Sequence, residues 1–73
     1  MTNNNEKTDQ QVAEEVVVRY IERSRDAKNV KVLGRSADDK NWIFELSFDT
    51  PQGDEVGKWG IDKKSGMVTN KLN

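Results

Sequence analysis

Over positions 42–49 a large apolar side chain recurs at every second residue, Trp42, Phe44, Leu46 and Phe48, with Ile43, Glu45, Ser47 and Asp49 between them. Successive side chains of a strand point to opposite faces, so the first four share one side, which must face a core, and the mostly polar others share a side that meets water. This predicts the central strand of an antiparallel sheet, the arrangement that can keep one face solvated. Upstream the period changes. Val12, Ala13, Val16, Val17, Tyr20, Ser24 and Ala27 recur at spacings of three and four, with Ile21 widening the stripe, as on a helix with one buried face. Thr8 followed by Gln11 fits a capping box that starts this helix, and Asp9 adds a favourable charge at the positive end of its dipole. The helix is expected to run to about Lys28, with Glu15, Arg19, Glu22, Arg23 and Asp26 on its polar face.

The remaining apolar positions predict three more strands. Asn29 can take the left-handed conformation that ends a helix, and residues 30–33 then alternate, with Val30 and Val32 inward. Residues 34–41 read as a polar connection into the central strand. Thr50-Pro51-Gln52-Gly53-Asp54 is turn chemistry that makes a hairpin with a strand over residues 55–62. That strand changes phase, with Val56 on one parity and Trp59 and Ile61 on the other, and a bulge at Gly57 or Gly60 is the expected device. Residues 62–66 form a tight loop with Gly66 at positive φ, and residues 67–72 a last strand. The predicted architecture is α+β, one N-terminal helix packed on one face of a four-stranded antiparallel meander in the order α-β-β-β-β. Residues 8–73 form the single domain. Residues 1–7 are a polar tail with little to bury, expected to be mobile. A single helix covers one sheet face, so Leu33, Ile43 and Met67 are the apolar residues expected on the open one.

Composition narrows the chemistry. With 73 residues and neither cysteine nor histidine, the chain has no disulfide, no thiolate, and no imidazole to serve as general base or metal ligand. Ser24, Ser36, Ser47 and Ser65 therefore lack their usual activating partner. Asp38 and Asp39, or Asp49 with Asp54 and Glu55, follow no known metal-loop spacing and fit ordinary turns. Arg19, Arg23, Arg25 and Lys28 are interleaved with Glu14, Glu15, Glu22 and Asp26, the pattern of a solvated helix face. The reading is of a chain that is not an enzyme, with no cofactor, metal or small-molecule ligand inferred. A formal net charge of −1 supplies no field that would draw it to nucleic acid. No run approaches the roughly 20 apolar residues of a membrane span. No signal peptide is visible, so residence is expected to be cytoplasmic as the sequence stands, or extracytoplasmic if an export signal has been removed.

Residues 41–46 (Asn-Trp-Ile-Phe-Glu-Leu), then Gly53, then residues 60–68 (Gly-Ile-Asp-Lys-Lys-Ser-Gly-Met-Val) resemble the PepSY domain pattern. That pattern has an aromatic-led strand, a glycine-containing turn, and a strand ending in hydrophobic-Asp-x-x-x-Gly-x-Val. The preceding helix and Val30-Lys31-Val32 match the family's opening in order, so the resemblance spans roughly residues 9–72. It implies a helix-plus-meander fold of cystatin-like shape and an extracytoplasmic binding or inhibitory module, in some cases acting on peptidases. The functional expectation is therefore a small non-enzymatic binding or regulatory module. It would work through protein–protein contacts on the open sheet face or hairpin loops, with Leu33, Ile43, Trp59 and Met67 as candidate contact residues and a second copy of the chain as one candidate partner. The alternative is a single-stranded nucleic-acid binder that stacks bases on Trp59 beside Lys58, Lys63 and Lys64.

Overall fold

The computed structural model describes residues 8–70, in the order α1 (Asp9–Ser24), β1 (Lys28–Ala37), β2 (Asn41–Thr50), β3 (Gly53–Asp62) and β4 (Val68–Asn70). The polar tail and the last residues of the expected final strand lie outside that range. The four strands form one antiparallel sheet in the order β1-β2-β3-β4, with α1 on one face, so the α+β meander is the fold of the chain.

The capping box forms as the sequence predicts. The Gln11 backbone N–H donates to Thr8 Oγ1 at 3.1 Å, and the Thr8 N–H donates to Gln11 Oε1 at 2.9 Å. The far end of α1 differs from expectation, since the helix stops at Ser24 rather than near Lys28. Asp26 takes the left-handed conformation at φ 54°, which turns the chain one residue past the Arg25 cap. The Ala27 N–H then reaches back to the Glu22 carbonyl at 3.3 Å while the Ala27 methyl enters the core, a Schellman closure with its apolar contact. Asn29 is also left-handed, at φ 56°, but it lies within β1 and not at the helix end.

The sheet places its irregularity where the sequence did not suggest it. From Asn41↔Asp62 to Thr50↔Gly53, β2 and β3 pair without a register break, so neither Gly57 nor Gly60 hosts a bulge. Both shifts fall in β1, between Lys28 and Lys31 and between Val32 and Gly34. The first sets Asn29 and Val30 against Phe48, and the left-handed Asn29 supplies the extra residue. The second sets Leu33 and Gly34 against Glu45. Beyond the second insertion β1 stays paired as far as Ala37 against Trp42, leaving a connection of three residues in which Asp38 Oδ1 accepts from the N–H groups of Lys40 and Asn41.

The core lies between α1 and the inward parity of the strands. Ala13, Val17, Ile21 and Ala27 meet Phe44, Leu46, Phe48, Trp59 and Ile61, with Val30, Val32, Trp42 and Val68 around the margin. Trp59 packs tilted against Phe48, ring centroids 5.4 Å apart. Its ring also lies over Gly57, where a Cβ would come within 2.9 Å of it. This explains the apparent phase change in β3. Glycine at 57 makes room for the indole, and Val56 simply faces out, 64% exposed.

Candidate functional site

The candidate contact residues do not assemble into one surface. Residues directly opposite in an antiparallel pair share a face, so the face away from α1 carries Ile43 between Ser36 and Gly60, and Ser47 between Lys31 and Val56. Leu33, 54% exposed, sits at the second bulge against Glu45, diagonal to Ile43. Glu45 pairs in register with Lys58, so a charged pair stands between Ile43 and Val56 on this face. Met67, 66% exposed, precedes β4 at the mouth of the hairpin, where its carbonyl accepts from the Asp62 N–H at 2.9 Å. Trp59 is on the opposite side altogether and 3% exposed, so its ring offers no surface to a partner or a nucleic-acid base.

A different apolar surface is present along α1. The helix buries the line Ala13, Val17, Ile21, spaced four apart, which leaves the adjacent line Val12, Val16, Tyr20 exposed at 48%, 40% and 46%. Sequence periodicity assigned both lines to the core, because together they form one wide apolar arc. No local signal separates them, since an apolar arc of this width is ordinary for a core-facing helix, and only the seating of α1 on the sheet does so.

The exposed line forms one wall of a groove between α1 and the β3–β4 side of the sheet. One stretch, of about 390 Å³, runs past Asp9, Val12, Val16, Trp42, Ile61 and Asp62. The next, of about 610 Å³, continues past Val16, Arg19, Tyr20, Arg23 and Val68. Local sequence builds each wall. Four-residue spacing aligns Val12, Val16 and Tyr20 on the helix, while the β3–β4 hairpin holds Val68 opposite Ile61 on the sheet. That hairpin is closed by Asp62, whose carboxylate accepts from the Lys64 and Ser65 N–H groups at 2.7 and 2.8 Å. Those backbone bonds, Ser65 first, hold the Asp62 carboxyl below its usual range. Gly66 completes the loop at φ 76°, and Lys63 Nζ sits 4.6 Å from the centre of the Trp42 ring.

Fastening of the helix is asymmetric. Toward β1, Arg35 donates to both oxygens of Glu14, at 2.7 and 3.3 Å, which raises the Arg35 pKa through that hydrogen bond and the carboxylate charge. At the end of α1, Arg25 pairs with Glu55 of β3 at 2.9 Å. Among the described residues no ion pair joins the two walls of the groove.

Beyond the groove, Asp49 and Asp54 stand opposite each other across β2 and β3. Asn29 donates to Asp49 at 2.8 Å, which lowers the Asp49 pKa, while sharing a hydrogen bond with Asp49 raises that of Asp54. Among the described residues, no three acidic, cysteine or histidine side chains converge as a metal site, and no helix is long and apolar enough to cross a membrane. The chain matches no family model, no curated protein and no solved structure.

Proposed function

We propose that this chain is a small non-enzymatic protein-binding module whose working surface is the groove between α1 and β4. The observation that carries this reading is the line Val12, Val16, Tyr20, three large apolar side chains left 40–48% exposed beside a core that has room for their neighbours only. A domain of 73 residues gains most of its stability from apolar burial, so a contiguous exposed stripe is costly unless another surface covers it. The PepSY-like pattern supports the same class of role. The groove is preferred to the open sheet face because Met67, at the mouth of the β3–β4 hairpin, and Trp59, in the core, do not join Leu33 and Ile43 there.

Selection from a displayed library of random peptides tests this. Binders should be recovered that lose binding to the Val16→Asp protein and keep it toward Ile43→Lys. Binders indifferent to Val16, or a library that yields none, would remove the assignment. Both substitutions are at partly exposed positions, and unchanged circular dichroism spectra verify that each variant remains folded.

A further inference from the structure

We infer that the groove takes an extended apolar-acidic segment of another protein, added to the sheet as a strand along the outer edge of β4. The inference rests on the groove reading above and adds the conformation and charge of the occupant.

The backbone supplies the first part. The bond from the Asp62 N–H to the Met67 carbonyl makes these two a hydrogen-bonded pair. In an antiparallel ladder such pairs alternate with non-bonded ones, so the next bonded pair is Gly60 with Thr69. Val68 and Asn70 then direct their N–H and C=O groups away from β3, toward the edge. Among the described residues no strand lies beyond β4. A strand paired there places alternate side chains on the α1 side of the sheet, beside the Val68 side chain and facing Val16 and Tyr20, which border the same stretch of groove.

Charge supplies the second part. The stretch beside Val68 is bordered by Arg19 and Arg23, which have no ion-pair partner among the described residues. The acidic groups that border the groove, Asp9 and Asp62, belong to its other stretch, and Asp62 is already occupied by two backbone donors. The end where the edge is open is thus basic in a chain whose net charge is −1. A strand whose α1-facing positions, every second residue, carry apolar side chains over Val16 and Tyr20 and carboxylates beside Arg19 and Arg23 satisfies backbone, apolar wall and rim together. A second copy pairing through its own β4 does not, because the segment Gly-Met-Val-Thr-Asn at residues 66–70 carries no acidic residue.

The probe is a capped, fluorescently labelled seven-residue peptide with glutamate at both ends, valine at its third and fifth positions and threonine between, so that the valines and glutamates share one face. It is compared with a lysine-for-glutamate counterpart and with a glutamate peptide N-methylated at every residue so that neither of its edges can pair as a strand. The glutamate peptide is expected to bind about tenfold more tightly than the lysine peptide, the effect of exchanging attraction for repulsion at two exposed charges. Binding should slow amide exchange at Val68 and Asn70 and be lost on N-methylation. The doubly substituted Arg19→Glu, Arg23→Glu protein should reverse the charge preference. Equal binding of the two charged peptides, or indifference to N-methylation, overturns the inference while leaving a Val16-dependent groove intact. Absence of glutamate-peptide binding up to millimolar concentration overturns it as well. So does sedimentation showing a dimer of the protein alone that Val16→Asp dissociates, since the occupant is then a second copy. Binding that ignores Val16→Asp removes the inference together with the groove assignment.

Discussion

Replacing Gly57 by alanine tests the packing of β3 most directly, because two general rules give opposite signs. Glycine inside a strand costs about 0.5–1 kcal/mol relative to alanine, so the substitution alone should stabilise. Here the new methyl would lie 2.9 and 3.0 Å from two carbons of the Trp59 ring. Relief needs the indole to move by about 0.5–1 Å, yet Trp59 is 3% exposed and packed on Phe48. Overpacking of this kind costs about 1–3 kcal/mol. The net expectation is a loss of about 1 kcal/mol, or a fall in Tm of roughly 4–8 °C for a domain of this size. Thermal melts of four proteins isolate the cause: the parent, Gly57→Ala, Trp59→Leu and the double variant. With leucine at 59 the ring is gone, and Gly57→Ala should be neutral or stabilising, so the cycle should show a coupling of about 1–2 kcal/mol. A Tm raised by Gly57→Ala in the parent, or equal effects in both backgrounds, would refute the view that glycine is there to seat the indole.

Further outcomes follow from the core and the turns. Phe44→Ala removes a fully buried ring from the core that Val17 and Ile21 also line, and at a cost of about 3–5 kcal/mol should leave no cooperative melt above room temperature. Asp54→Asn removes the repulsion opposite Asp49. Because the Asp54 pKa is raised in the fold, its favourable contribution belongs to the protonated form and is lost as pH rises. The variant should therefore melt higher than the parent at pH 7, with the difference shrinking as pH falls through the carboxylate range. Asp62→Ala should show the reverse. The Asp62 pKa is lowered, so its contribution is present above the ordinary carboxylate value and lost on acidification, and the variant's lower Tm at pH 7 should converge on the parent's in acid.

The sequence made some of this legible and concealed the rest for physical reasons. Trp42, Phe44, Leu46 and Phe48 alternate in a strand that is paired on both sides, where period two is undisturbed, and their inward parity was readable. Thr8 and Gln11 act within one helical turn, so their chemistry is local and the cap was readable as well. The end of α1 was not, because Asp26 and Asn29 can both adopt the left-handed conformation, and the buried Ala27 methyl follows the first of them. In β3 a glycine was read as a bulge, whereas its role is set by an indole two residues away. The groove was hidden for a related reason. Val12, Val16 and Tyr20 are as apolar as Ala13, Val17 and Ile21, and only the position of the helix on the sheet distinguishes the two lines.

The two insertions in β1 bear on how the molecule can meet others. An edge whose register shifts twice within ten residues is a poor template for a straight incoming strand, since its outward donors and acceptors are unevenly spaced. The opposite edge, at β4, pairs in regular register with β3. A filament grows only when each subunit offers two matching adhesive sides, so that every added copy presents a fresh one. This sheet offers one. Addition at β4 is therefore a terminating event, and the chain can accept a strand without becoming a link in an open-ended fibre.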